Sequence, residues 1–177
     1  DIVNAYAAPG GYIFITKGAL MKMEDEAELA AVLSHEIAHV TERHIVRELN
    51  IKGTEVSPVS GFARALGGGS DAVRAVFTQM VDRAAEILFE KGLKKQDEFD
   101  SDRVATVIIS TAGYDPSALR RYLKKISGAE KETKTLTDTH PSFDERIKNV
   151  DSILADNQLT DKKQALVKER FNDNVRI

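Results

Sequence analysis

The chain has 177 residues, 42% of them hydrophobic, and a net charge of −3 from 25 basic and 28 acidic residues. That length suits one domain, and the balanced charge excludes both a disordered tail and the basic footprint of a nucleic-acid binder. With no cysteine and no apolar run of 18 residues, disulfide frameworks, thiolate-bound metals and membrane-spanning helices are excluded as well.

Residues 2–16, IVNAYAAPGGYIFIT, read as a β-hairpin turning at Pro9-Gly10-Gly11. From there the pattern is helical. Asp25 followed by Glu28 suggests a capping-box start. Leu29, Val32, Leu33, Ile37 and Val40 then recur at helical spacing, so this helix should be buried on one side. Residues 51–70 are rich in Gly, Ser and Pro and read as a mobile loop or broken helix. Val73, Val76, Phe77, Met80, Val81, Ala84 and Leu88 mark a second amphipathic helix. A third starts near Asp97, carries Phe99, Val104, Val107 and Ile108, and stops at Gly113. Asp115-Pro116 reads as an N-cap with proline at the first helical position of SALRRYLKKI. Residues 128–139 read as a polar linker. Ser142 and Glu145 predict a capping box before RIKNVDSIL, and a last helix is expected over DKKQALVKERF. The fold class is therefore α+β and mostly α, with one small N-terminal sheet. The chain begins at Asp1, inside the first strand, without initiator methionine or signal peptide. It reads as a single soluble domain over residues 1–177 cut from a longer protein.

The first helix contains VLSHEIAHV. Residues four apart share a helix face, so His35 and His39 can offer two imidazole nitrogens to one ion. Glu36, beside the first histidine, can reach the attacking water without being a ligand. This is the physical basis of the H-E-x-x-H spacing in zinc hydrolases. The competing reading is an amphipathic helix with surface histidines. The apolar flanks Leu33, Ile37, Ala38 and Val40 argue against it, because two histidines and a glutamate buried without partners are costly. A third ligand must be His, Asp or Glu. His44 lies ~140° round the helix from His39 and should face elsewhere. The metzincin continuation of the motif is absent. The stretch QDEFDSDRVA places Glu98 and Asp102 four apart on one face. One of the two can ligate zinc while the other orients a ligand histidine.

The segments NAYAAPGGYIFIT, DEAELAAVLSHEIAHVTERH, DEFDSDRVATVIISTAGYDP and HPSFDERI together resemble the gluzincin metallopeptidase family that includes HtpX, the CAAX prenyl proteases and the Oma/BepA-type peptidases. They occur in family order across most of residues 3–150. The resemblance implies a zincin-like helical domain and one zinc ion held by His35, His39 and Glu98, with Asp102 as the carboxylate behind a ligand histidine. It implies Glu36 as general base. It places His140 near the metal, either stabilising the tetrahedral intermediate or capping the zinc in a resting form. It makes Arg146 an ion-pair partner in the same carboxylate region. Asn4 and Ala5 would belong to an edge strand that pairs with extended substrate. The expected activity is zinc-dependent endoproteolysis of protein or peptide substrates, in envelope protein quality control. The alternative is a zinc-containing chaperone or interaction domain with proteolysis suppressed. The charges in residues 51–95, where membrane relatives insert spans, favour the periplasmic, BepA-like branch of the bacterial envelope, with a soluble lid or packing helix in that place. Nothing in the sequence speaks to oligomeric state.

Overall fold

The computed structural model describes residues 2–8, 10–49, 71–129 and 133–175, so the expected loop at residues 51–70 lies outside the described residues. Strands β1 (Ala5–Ala8) and β2 (Tyr12–Ile15) form the expected antiparallel hairpin, with Ala5 opposite Ile15 and Ala8 opposite Tyr12. The turn closes through Gly11 N–H donating to the Ala8 carbonyl at 3.2 Å. Gly10 and Gly11 take φ of 97° and 86°, which explains the glycine pair. Thr16 fastens the open end. Its hydroxyl accepts from Asn4 N–H and donates to Asn4 C=O, both at 3.0 Å, and it caps α1 (Lys17–Met21).

Helix α2 (Glu26–Thr41) runs through the middle of the molecule and packs on α5 (Lys95–Thr111), on α6 (Ala118–Ile126) and on β1. Its start is secured three ways. Asp25 accepts from Glu28 N–H at 2.9 Å. The Leu166 carbonyl accepts from Ala27 N–H at 3.1 Å. Arg121 of α6 spans Asp25 and Glu28 at 2.9 Å each, and Lys125 reaches Glu28 at 2.8 Å. The expected capping box is thus half formed, because the Glu28 carboxylate accepts from Glu24 N–H and pairs with these two cations.

The buried faces of α2 and α5 are small and polar. On α2 they include Ala27, Ala31, Ser34, His35, Ala38 and His39, while Ile37 of the expected apolar stripe is 39% exposed. On α5 they are Glu98, Ser101, Asp102, Ala105, Thr106 and Ile109, and Val107 is exposed. Small side chains let two helix backbones approach closely. That approach brings the polar groups of the two helices within reach of one another. The larger apolar residues fill the space around this seam. Val32, Leu119, Leu123, Ile126, Val150 and Leu154 belong to one core that joins α2 and α6 to α8 (Phe143–Asp156).

After α2 comes α3 (His44–Glu48). The second expected helix is α4 (Asp71–Glu86), followed by a π-helical turn at Ile87–Lys91; Val81 on it is exposed. Gly113, at φ 87°, ends α5 as expected. Helix α6 starts later than the sequence suggests. Asp115 accepts from Ser117 N–H and hydroxyl in the turn ahead of it. The polar linker contains a short helix, α7 (Lys134–Thr139), anchored by buried Leu136. The Ser142–Glu145 capping box is present at the start of α8. The last helix, α9, covers only Lys168–Asn174. The residues before it are drawn into extended pairing, with Ala165 bridging Tyr114.

Candidate active site

The seam between α2 and α5 contains the candidate site. His35 and His39 project from α2, Glu98 and Asp102 from α5, each pair spaced by one helical turn. The His35 and His39 Nε2 atoms lie 3.0 Å apart. Glu98 Oε2 lies 3.4 Å from His35 Nε2, and its Oε1 lies 3.5 Å from His39 Nε2. One ligand atom from each of the three residues falls within 4.8 Å of the others, and all three residues are buried. Glu98 Oε2 is buried without a hydrogen-bond partner of adequate geometry. An orphaned carboxylate oxygen facing two imidazole nitrogens is the donor set of a divalent cation, so the residues fit a metal.

Behind His35, Asp102 Oδ1 lies 2.9 Å from Nδ1. Arg146 holds that carboxylate at both oxygens, Nη2 to Oδ1 at 2.6 Å and Nε to Oδ2 at 3.1 Å. Arg146 Nη2 is also 3.2 Å from His35 Nδ1. The carboxylate contact is shorter, and only the carboxylate can accept a proton. Nδ1 therefore carries a hydrogen, which leaves Nε2, on the side facing Glu98, as the nitrogen that could take a metal. His140, at the end of α7, sits with Nε2 3.5 Å from Glu98 Oε2 and Nδ1 2.9 Å from the Thr139 hydroxyl. The structure thus brings together His35, Glu36, His39, Glu98, Asp102, His140 and Arg146.

Burial and neighbouring charges set the proton affinities. Burial lifts the Glu36 carboxyl to about 7, against the pull of His35. For His35, burial and Arg146 oppose the charged form, but Asp102 and Glu98 win and raise it to about 9. Burial would raise Glu98, yet His140, His35 and His39 together hold it well below the usual carboxylate range. Burial holds His39 and His140 below the ordinary imidazole value.

Glu36 and His140 border two clefts. One is walled by apolar residues including Val32, Leu119, Leu123 and Leu136, and touches Asn4, Ala5 and Arg146. The other runs past Ala5, Ala7, Ile87 and Gly92 to His39 and Glu98. Ala5 borders both. The Asn4 side chain is engaged within the hairpin, donating to the Tyr6 hydroxyl and accepting from Ala5 N–H, both at 2.9 Å.

A profile described as Peptidase family M48 matches residues 1–154 of the chain. The chain belongs to peptidase family M48. Curated relatives agree. A beta-barrel assembly-enhancing protease of Yersinia pestis is 28% identical over 166 residues, covering 83% of this chain and 31% of the relative. The mitochondrial metalloendopeptidase OMA1 of Schizosaccharomyces pombe is 27% identical, covering 88% of this chain and 45% of the relative. Metalloprotease LoiP of Escherichia coli strain K12 is 27% identical, covering 84% and 57%. The chain therefore spans about a third to just over half the length of these relatives. Within the M48 domain no helix among the described residues is long and apolar enough to cross a membrane.

His44 is the buried group that sequence reasoning missed. The helical geometry used to turn it away from His39 does not apply, because α2 ends at Thr41. Arg43 then takes a left-handed conformation at φ 56°. The chain turns back, and His44 Nδ1 comes to 2.9 Å from His39 Nδ1. No residue type in TERH announces that reversal; a glycine at position 43 would have done so.

Proposed function

We propose that this M48 domain is a zinc endopeptidase that cleaves extended segments of protein substrates. The convergence of His35, His39 and Glu98 within 4.8 Å, with buried Glu36 alongside, carries this reading. The two imidazoles and the Glu98 carboxylate would hold one zinc ion. Zinc supplies Lewis acidity there, acidifying a water and polarising the scissile carbonyl. Glu36, a buried carboxyl next to the first ligand histidine, would take a proton from the attacking water and return it to the leaving amine. Asp102 and Arg146 hold His35 in the tautomer that frees Nε2.

Among the described residues β1 pairs only with β2, and its Ala5 lies against both clefts, which supports pairing with an extended substrate backbone. Asn4 shapes that edge. The apolar cleft beside Glu36 suits a hydrophobic side chain of the substrate. The relatives named for β-barrel assembly support a role in the bacterial envelope, which fractionation of cells producing the chain in its native context would test. The test of the activity is zinc content and proteolysis, measured together. Wild type should hold one zinc per chain, Glu98→Ala should lose it, and Glu36→Gln should keep zinc while losing cleavage of unfolded protein. Full cleavage by zinc-loaded Glu36→Gln would remove the assigned base.

The position of His140 beside Glu98 also favours a second reading, in which proteolysis is held back by this histidine. If His140 steadies the oxyanion, His140→Ala loses activity. If it caps the zinc in a resting form, the same variant gains activity.

A further inference from the structure

Helix α5 presents two parallel pairs of groups. Glu98 and Asp102 face the metal cluster and the back of His35. One residue earlier in each turn, Asp97 and Ser101 face the back of His39 through His44. The His44 imidazole is 1% exposed. Its Nδ1 lies 2.9 Å from His39 Nδ1 and 3.3 Å from the Ser101 hydroxyl oxygen. Its Nε2 lies 3.7 Å from Asp97 Oδ1, which is also held by Arg47 at 2.9 Å.

Two ring nitrogens at 2.9 Å must share one proton between them. With none, two lone pairs repel; with two, the hydrogens clash. His39 Nε2 faces His35 and Glu98, so ligation there needs its lone pair and puts the hydrogen on Nδ1. His44 Nδ1 must then accept, and its own hydrogen falls on Nε2, the side facing Asp97. The arrangement mirrors His35, whose Nδ1 is met by Asp102.

We propose that His44 is a positioning residue of the site: it accepts the Nδ1–H of His39, fixing the tautomer and ring orientation that present Nε2 to zinc, with the Ser101 hydroxyl beside the same nitrogen and Asp97 on the side of Nε2. The left-handed turn at Arg43 brings the imidazole back onto His39. A side chain at this position on a continuing helix would point away. The inference rests on the zinc-site reading above. It adds a second orienting group, an imidazole where His35 has a carboxylate.

The test is zinc affinity by competition with a chelator of known strength, in wild type, His44→Leu and His44→Asn. Leucine fills the space without an acceptor. The asparagine carbonyl oxygen reaches the place of Nδ1. His44→Leu should bind zinc roughly ten- to hundred-fold more weakly, as is usual when an outer partner of a ligand histidine is lost. His44→Asn should recover most of that loss. In the zinc-loaded wild type, ¹⁵N-labelled histidine spectra should show the hydrogen of His39 on Nδ1. Wild-type affinity in His44→Leu, equal weakening in both variants, or a hydrogen on His39 Nε2 would overturn the proposal. A wild-type protein that binds no zinc would overturn the site reading with it, so the two failures are distinct.

Discussion

Replacing Arg146 with methionine tests how the site is held together. Arg146 is 4% exposed and Asp102 is fully buried. Their two hydrogen bonds, at 2.6 and 3.1 Å, are the only ones the guanidinium gives a carboxylate among the described residues. Methionine keeps the stem's packing and removes both. Asp102 is then a buried carboxylate with His35 as its remaining partner, and stranding one member of a buried ion pair costs about 3–5 kcal/mol. For a domain of this size that corresponds to a fall in Tm of roughly 10 °C. The assay is thermal and urea unfolding in excess chelator, so that metal binding adds nothing to stability. The penalty should also depend on pH. In the wild type, Arg146 and His35 outweigh burial and lower the Asp102 carboxyl. A lowered folded value contributes stability above the unfolded value, about 3.9, and loses it as pH falls through the folded one. In Arg146→Met burial is less opposed, so Asp102 takes up a proton at higher pH and no longer strands a charge. The difference between the two proteins should therefore narrow below about pH 5. The double variant Asp102→Asn/Arg146→Met should be more stable at pH 7 than Arg146→Met alone. A single variant within about 1 kcal/mol of wild type at pH 7, or a double variant less stable than the single, refutes the reasoning.

Zinc affinity should rise with pH up to about 9, because His35 is protonated below that value and zinc must displace the proton. Chelator competition at pH 6, 7 and 8 should give about a tenfold change per unit if one proton is released, and a flat profile would sink the assignment. Gly92→Ala should destabilise the protein and disturb cleavage together. Gly92 sits at φ 73°, and an added Cβ would fall 1.8 Å from the Thr139 carbonyl oxygen, next to His140. Unchanged stability and turnover would show that this contact is slack. Ser142→Ala removes half of the capping box at α8 and should cost about 1 kcal/mol in urea unfolding. Because α8 carries Arg146, a loss much beyond that would mean the cap also positions the guanidinium.

The hairpin, the zinc-motif helix and the acidic helix were all legible from periodicity and turn chemistry, and the M48 match agrees with the resemblance drawn from the same residues. The faces were less legible. Apolar periodicity pointed to Leu33, Ile37 and Val107, yet the seam is built from alanines, serines and the histidine and carboxylate groups themselves. The stripe method fails here because the groups to be buried are polar, and only small neighbours let them meet. The last helix failed for another reason. DKKQALVKERF has helical propensity, but Ala165 exchanges hydrogen bonds with Gly113 and Asp115, and Leu166 C=O takes the Ala27 N–H. Those tertiary bonds outweigh a weak local preference.

Charge explains why so many polar groups tolerate burial in one seam. Glu36, Glu98 and Asp102 bring three negative charges and Arg146 one positive, which leaves −2 with neutral imidazoles. Such a sum is expensive in a protein interior unless something cationic joins it. Protons answer part of the demand, which is why His35 and Glu36 both hold theirs more tightly than usual. A divalent cation held by His35, His39 and Glu98 would supply the positive charge that this sum lacks. Burial lifts the Glu36 carboxyl to about 7, and Glu98 adds to that against His35, so the carboxylate that would draw a metal also helps to keep Glu36 protonated in the metal-free seam. Arg146, paired with Asp102, offsets part of that acidity without any metal.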